Sequence, residues 1–524
     1  MKKALVSVTN KQNVVDIVDV LIESGYEIIS TGGTLAHIRE RGRKAMDIEE
    51  FTSFPEMFEG RIKTLHPKVH GGLLYKRDDS KHILQAQEQD IFPIDVVIVN
   101  LYDFEGAMTS GKSHEDIVEN IDIGGPSMIR SASKNYKDVL VVVDPSDYQE
   151  VAERIRENRV DIAFREKMAM KAFALTAYYD AMISSYFINR FNERASRKDV
   201  LSDFVNFNEF DIEYRAIPIK KSQNLRYGEN PHQKASVYDI ASEKSLLSKI
   251  EQLGGKELSY NNLNDLNTAL EICADFLDTD GITTAVIKHA SPCAVSTSDS
   301  AYQSYINAYH ADSLSIFGGI VASNGVIDEQ TASAIAKIFV EIVAARDFTP
   351  EALQILSQKN NLRILKINFD VKPSDKAFRN ISGKLLMQSA DFNSEDGFEV
   401  VTQKSPSEQQ KKDLLFAMKV VKHTKSNAVV FARNQTTVAI GAGQTARIWA
   451  VETALSNYEQ EDFAGTVLAS DAFFPFDDCV KLVARYGVSA IIQPGGAIRD
   501  KDSIDECNKH DIAMVFTGVR HFKH

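Results

Sequence analysis

Residues 1–34, MKKALVSVTNKQNVVDIVDVLIESGYEIISTGGT, decide how the amino-terminal part of the chain folds. Residues 2–8 are a short apolar run of strand-like composition. Residues 14–22 space their apolar side chains along one face of a helix, with Gly25 placed to end it. Residues 26–29 read as a second strand, and Ser30-Thr31-Gly32-Gly33-Thr34 then turns the chain into another helical segment. The apolar stretch behind Lys2 and Lys3 is too brief for a secretory leader and suits a first strand.

The alternation continues outward. DVVIVN (95–100) and DVLVVV (138–143) are apolar almost throughout, as strands covered on both faces are, so a parallel sheet flanked by helices is expected. A helical stretch follows over about residues 149–194. Between residues 195 and 212 the periodicity fades and charged and Asn residues accumulate, which places a boundary there and domains at 1–200 and 201–524. The second domain mixes helices with apolar strands in TTAVIKH (283–289), SIFGGIVAS (315–323), GTVLASD (465–471), SAIIQPGG (489–496) and AMVFTG (513–518). AVVFARNQTTVAIGAG (428–443) reads as two strands joined at Asn434-Gln435, so some antiparallel pairing is expected. Lys288-His289 precedes Ala294-Val295 at the same offsets as Lys422-His423 precedes Ala428-Val429, which suggests two copies of one unit.

Composition limits the function. At 524 residues the chain exceeds one hydrophobic core, and 44% apolar with 25% charged residues is ordinary for a globular protein. With 73 acidic against 60 basic residues the net charge is −13, which argues against a nucleic-acid partner. No apolar run is long enough to span a membrane. Cys273, Cys293, Cys479 and Cys507 form no CxxC pair and read as reduced thiols of a soluble, cytoplasmic protein.

Five stretches carry chemistry. The Gly32-Gly33 turn can bring backbone N–H groups against a phosphate at a helix start, though plain turns look the same. GRIKTLHPKVHGG (60–72) concentrates Arg61, Lys63, His66, Lys68 and His70 in what Pro67 and the paired glycines suggest is a loop. It suits an anionic small ligand or is a solvated basic loop. IDIGGPSMIRSASKN (121–135) joins Asp122, Arg130 and Lys134 around a glycine turn, and Asp122 can equally be a helix cap. LRYGENPHQ (225–233) offers Arg226, Tyr227 and His232 for a phosphate and a flat heterocycle, or is a polar loop. AVIKHASPCAV (285–295) presents Lys288-His289 at a strand end, where a histidine can exchange protons or serve structure alone.

SVTNK (7–11), STGGT (30–34), GRIKTLHPKVHGG, NLYDF (100–104) and IDIGGPSMIR (121–130), in this order, resemble an IMP cyclohydrolase domain of methylglyoxal-synthase-like fold. LRYGENPHQ, GGKELSYNN (254–262), AVIKHASPCAV, SIFGGIVAS, TKSNAVV (424–430), IGAGQTARI (440–448), SDAFFPF (470–476) and GVRHFKH (518–524) resemble an AICAR transformylase domain, a duplicated cytidine-deaminase-like α/β fold. Together the matches cover nearly the whole chain.

The first resemblance implies that Lys63, Tyr102, Asp122 and Lys134 surround the reacting formyl and carboxamide groups. Ser7, Thr9, Lys11, Ser30, Thr31, Arg61 and Thr64 would hold the nucleotide, with Gly124 and Gly125 lining it. The second implies Lys288 and His289 as the catalytic pair and Asn427 as the group that positions the formyl oxygen. Arg226, Tyr227, His232, Asn262, Phe317 and Glu341, together with Arg447, Arg520 and Phe522, would bind nucleotide or folate. The reactions implied are formyl transfer from the co-substrate 10-formyltetrahydrofolate to AICAR, giving FAICAR, and dehydrative closure of FAICAR to IMP. No catalytic metal is implied, and a homodimer sharing its second-domain sites is.

Two departures stand out: the family usually has Pro where VEIVAARDF (340–348) carries Arg346, and Arg is commoner where Lys523 stands. A zinc nucleobase deaminase, which the second domain's fold admits, would need H-x-E or C-x-E with P-C-x-x-C. Pro292-Cys293 is followed by Ala-Val-Ser, so the zinc signature is missing. A non-catalytic nucleotide-binding scaffold is the other alternative; the presence of every implied catalytic residue speaks against it.

Overall fold

The computed structural model describes residues 2–195, 209–241, 243, 245–248, 250–371, 374–392, 397–458 and 462–524. Most of the boundary expected between residues 195 and 212 lies outside them. The chain divides into two compact units, Met1–Lys220 with Tyr238–Ser242, and Lys221–Val237 with Glu243–His524.

The first unit is built on five parallel strands, β1 (Lys2–Ser7), β2 (Tyr26–Ser30), β3 (Met46–Asp47), β4 (Val96–Val99) and β5 (Leu140–Val142), in the order β3-β2-β1-β4-β5. All four residues of β4 are buried, as are all three of β5. Their uninterrupted apolar character therefore reflects cover on both faces, the methylglyoxal-synthase-like arrangement expected. Helix Val14–Glu23 follows β1 and turns back at Gly25, whose φ of 82° an L side chain resists.

The segment expected to be a loop because of Pro67, Gly71 and Gly72 is instead helix Pro67–Leu74. Proline at the first helical position loses no hydrogen bond, and His66 caps the helix by accepting from Lys68 N at 3.1 Å. The glycines allow close packing: a Cβ on Gly72 would stand 2.5 Å from Phe92 O, and one on Gly71 2.8 Å from Ile91 Cδ1. Gly72→Ala should therefore destabilise the first unit by ~1–3 kcal/mol through overpacking. A urea midpoint equal to that of the unchanged protein would contradict this.

The ribbon strands β6 (Ile219–Leu225) and β7 (Ala235–Ile240), of which Lys221–Leu225 and Ala235–Val237 fall in the second unit, precede a twelve-stranded sheet. Its first half comprises β8 (Ile250–Gly254), β9 (Ile282–Lys288), β10 (Ser291–Ser298), β11 (Ile320–Ile327), β12 (Ile342–Phe348) and β13 (Arg363–Ile367). A second ribbon, β14 (Lys376–Ile381) with β15 (Lys384–Ser389), separates it from β16 (Glu399–Val400), β17 (Val429–Arg433), β18 (Thr436–Gly441), β19 (Val467–Ser470), β20 (Ala490–Gln493) and β21 (Ala513–Phe516).

The sheet order β16-β21-β20-β19-β17-β18-β10-β9-β11-β12-β13-β8 is one pattern laid down twice and joined antiparallel through β10 and β18. In each copy an outer antiparallel strand flanks three parallel ones, followed by a hairpin. Helices Tyr260–Asp275 and Glu408–Lys422 occupy the same place before each hairpin, and each opens with a Ser capping box.

The duplication is real, but the Lys-His echo is not its register. Lys288 ends a strand, whereas Lys422 ends a helix and His423 is that helix's cap. The true counterpart of the loop His289-Ala290 is Asn434-Gln435. Arg346, where the family usually has Pro, lies inside β12. The β11–β12 register slips between Ser323 and Val326, beside Arg346, and a bulge is a place where a strand tolerates proline. Here Arg346 Nε donates to Asn324 O at 3.0 Å, and Glu341 keeps its place immediately before β12.

Candidate functional sites

In the first unit a cavity of about 650 Å³ opens beyond the carboxyl ends of β1, β2 and β4. Parallel sheets place ligands there because successive loops converge at that end. The loop after β1 supplies Ser7, Thr9 and Lys11; the turn after β2 supplies Thr31 and Gly33; the loop after β4 supplies Asn100 and Tyr102. Gly60, Arg61, Lys63 and Thr64 enter from a separate segment, and Asp122, Gly124 and Gly125 from the start of helix Gly124–Lys134.

Local bonds fix this wall. Ser7 Oγ and Thr31 Oγ1 lie 2.8 Å apart, Thr34 Oγ1 accepts from Val8 N at 3.0 Å, and Asn100 Oδ1 accepts from Thr9 N and Asn10 N at 2.6 and 3.0 Å. A Cβ on Gly32 would stand 3.8 Å from Lys63 Nζ, and one on Gly33 3.9 Å from Lys11 Nζ. Two ammonium groups thus border the exposed N–H groups of a helix start, a setting that favours an anion.

Asp122 serves two purposes. Its Oδ1 accepts from Gly125 N at 2.8 Å, so the capping reading holds. Burial pushes its carboxyl above the usual carboxylate value, while the N–H groups of Gly125 and Tyr102 and the Lys63 ammonium pull it back only in part. The two glycines are obligatory at this approach: a Cβ on Gly125 would stand 2.5 Å from Asp122 Oδ2, and one on Gly124 2.5 Å from Thr64 Oγ1.

Not every expected residue reaches the cavity. Ser30 is fully buried and donates to Val6 O at 2.7 Å, so it ties β2 to β1. Lys134 ends the helix that Gly124 begins, about 15 Å along its axis at 1.5 Å per residue, and does not line the cavity. His66 is the cap already described, and His70 Nδ1 pairs with Ser131 Oγ at 3.0 Å.

The second unit gathers its expected residues along one edge of the large sheet. Lys288 pairs with Ser291, and Ser296 with Thr436. Five residues back along β10 and five onward along β18 then bring Ser291 level with Gly441, which pairs with Val429. Asn427 therefore stands on the edge that carries Lys288-His289, three strand spacings away, about 14 Å. Phe317 and Glu341 precede β11 and β12 on that edge, since Ile320 pairs with Ile287 and with Ile342.

Two clusters form there. Lys288 Nζ donates to Phe317 O at 3.0 Å, and Asn262 Nδ2 donates to Glu341 Oε2 at 2.7 Å, with Arg363 Nη1 3.6 Å from the same oxygen. Arg226, Tyr227 and His232 lie in the loop between β6 and β7, whose Glu229 O accepts from Asn261 Nδ2 at 3.2 Å. In the other cluster Arg447 Nη2 donates to Asn427 Oδ1 at 2.9 Å and Nη1 to Ala428 O at 2.8 Å; Nη1 also pairs with the buried carboxylate of Asp471. Asn427 Nδ2 carries two hydrogens, of which Gln444 O takes one at 2.9 Å. Arg520 sits over the Phe522 ring at 4.9 Å.

Sequence reasoning missed the residues that hold this tail. Ser426 N donates to Lys523 O at 2.9 Å, Lys523 N returns a bond to Ser426 Oγ at 3.0 Å, and Lys523 Nζ reaches Glu271 Oε2 at 3.1 Å. Glu271 and Asp275 stand one turn apart on a helix, a spacing that looks like any solvated acidic face until their partners arrive from the far end of the sequence.

His423 Nε2 lies 2.6 Å from Asp275 Oδ2, and Lys422 Nζ 2.6 Å from the same oxygen. Burial alone would raise both carboxyls, but His423 with Lys523, and His423 with Lys422, outweigh it and hold each at about 2. Groups with depressed folded-state pKa stabilise fully above their unfolded values near 4 and lose that contribution as pH falls toward 2. The full chain should therefore lose on the order of a few kcal/mol between pH 5 and pH 2. Glu271→Gln should flatten that loss in acid unfolding curves; an unchanged slope would count against the network.

Among the described residues no group of three or more His, Cys, Asp or Glu side chains is placed to hold a metal ion, and no helix is long and apolar enough to cross a membrane. The four cysteines are unpaired.

A doubly wound sheet with a cationic pocket at its strand ends, followed by a duplicated α/β sheet, defines a two-unit α/β protein. Its first unit matches the MGS-like domain model over residues 13–127. The AICARFT/IMPCHase bienzyme model matches residues 132–457, and the chain belongs to that family. Relatives agree along the full length of both chains. Proteins named bifunctional purine biosynthesis protein PurH are 50% identical over 526 residues in Clostridioides difficile, 46% over 532 in Caldicellulosiruptor saccharolyticus and 47% over 529 in Oceanobacillus iheyensis, each covering 100% of both chains.

Proposed function

We propose that the two units divide two consecutive reactions at separate sites, with the roles below. The chain is a bifunctional enzyme of the last two steps of purine biosynthesis, AICAR formyltransferase and IMP cyclohydrolase.

Ring closure belongs to the first unit. The carboxamide nitrogen of FAICAR attacks its own formyl carbon, and water is lost. Because the reaction is already intramolecular, holding the reactive rotamer supplies much of the acceleration. Lys11, Thr31 and the turn N–H groups take the phosphate. Lys63 stabilises the oxyanion that develops on the formyl oxygen, and Asp122, made a better proton acceptor by burial, handles the amide proton beside Tyr102.

Formyl transfer belongs to the edge of the large sheet. The 5-amino group of AICAR is weakened by its ring carboxamide, so attack on the formyl carbon of 10-formyltetrahydrofolate needs a base. His289 takes the amine proton, Lys288 serves the departing folate nitrogen, and the second N–H of Asn427 donates to the formyl oxygen. Phe317, Arg520 and Phe522 offer flat and cationic contacts suited to folate and nucleotide, while Arg447, buried and bonded to Asn427, Ala428 O and Asp471, orients Asn427. A homodimer in the cytoplasm, with residues of both clusters serving a shared site, is the assembly this reading expects.

The observation that supports it most is the convergence of Lys63, Tyr102 and Asp122, from three separate stretches of sequence, on one cavity. Incubation with AICAR and 10-formyltetrahydrofolate should yield FAICAR first and IMP after it. Binding of both without turnover would favour a non-catalytic scaffold instead.

A further inference from the structure

The hairpins β9–β10 and β17–β18 are one device built twice. Each turns through a two-residue loop with positive φ at both positions: 54° and 53° at His289-Ala290, 54° and 51° at Asn434-Gln435. Two-residue hairpin turns demand this conformation, which Asn and His accept more readily than most side chains and which Ala and Gln do not favour.

In both copies the aspartate at the sixth position of the preceding helix accepts both loop N–H groups. Asp265 takes His289 N at 3.2 Å and Ala290 N at 2.7 Å; Asp413 takes Asn434 N at 3.0 Å and Gln435 N at 2.7 Å. The copies differ in what the loop carries. Lys288-His289 opens on the edge that holds Glu341 and Asn427, while Arg433-Asn434 opens on the opposite edge. The first turn position of each copy carries a residue that tolerates the turn, Asn434 in the second and His289 in the first, so the same backbone device presents an imidazole in one copy only.

We propose that Asp265 is a positioning residue for formyl transfer: by accepting both turn N–H groups it holds the backbone of His289 in the left-handed region and so aims the imidazole along the reacting edge. Asp413 is the same device with no reacting group to aim. The inference rests on the reading of Lys288-His289 as the reacting pair.

The test uses the full-length chain with Asp265→Asn and, as the matched control, Asp413→Asn. An amide can accept through only one oxygen and loses part of the clamp. Asp265→Asn should lower the formyl-transfer kcat about ten- to hundredfold, leaving the KM for AICAR and closure of FAICAR within about twofold. Asp413→Asn should leave kcat unchanged. An unchanged kcat in Asp265→Asn, or an equal loss in Asp413→Asn, overturns the proposal, since a purely structural clamp would act alike in both copies. If Asp265→Asn does not fold, Asp265→Glu, which keeps the charge and misplaces it, must show the same loss confined to kcat. His289→Ala separates the two levels: full formyl transfer without the imidazole defeats the reading beneath, whereas loss there with normal Asp265→Asn activity defeats this inference alone.

Discussion

Lys63→Ala should lower closure of FAICAR by about 10²- to 10³-fold, the usual cost of losing one preorganised donor to a developing oxyanion. The ammonium borders the turn after β2 and also faces Asp122, whose carboxyl it helps to keep ionised against burial. Its loss therefore acts twice, through the oxyanion and through the proton acceptor. Lys63 is a first-unit residue whose removal touches none of the large sheet's bonds, so formylation of AICAR should proceed at its normal rate and FAICAR should accumulate. Steady-state assays of each half-reaction read this directly; equal loss of both in a folded variant would contradict it.

His289→Ala should have the opposite effect. Removing a positioned general base costs about 10²- to 10⁴-fold, and the weak amine of AICAR places the loss toward the upper end. Alanine keeps the hairpin, because both Asp265 bonds are to backbone N–H groups of the loop. The Lys288 Nζ bond to Phe317 O likewise involves no imidazole atom. Closure of supplied FAICAR should be unaffected. A variant that still formylates AICAR at the normal rate would remove His289 from the reaction.

Much of the fold was legible because its strands are buried on both faces and so read as plain apolar runs bounded by turn residues. DVVIVN and DVLVVV became β4 and β5, and Asn434-Gln435 marked the β17–β18 turn. Where reading failed, tertiary contacts had overridden local rules. Gly71 and Gly72 looked like loop residues, yet they sit inside a helix, where the Ile91 side chain packs against the one and the Phe92 carbonyl against the other too closely for a side chain.

The duplication was inferred from the wrong residues, since a Lys-His pair recurs by chance while the true register lies in turn geometry that composition does not display. Of the functional residues, those in long motifs were found as candidates by resemblance. Glu271, Asp275, Asp471 and Asp265 were passed over because a lone acid on a helix or strand end declares itself only when its partners, up to 252 positions distant, are brought against it.

The central claim is that the chain holds two separate sites, one for each of two consecutive reactions. Mixing Lys63→Ala protein with His289→Ala protein tests it most directly. Neither alone should convert AICAR and 10-formyltetrahydrofolate to IMP, while the mixture should form IMP after a lag in which FAICAR builds up. A mixture that makes FAICAR but never IMP, or one variant that makes IMP unaided at the normal rate, would contradict the account.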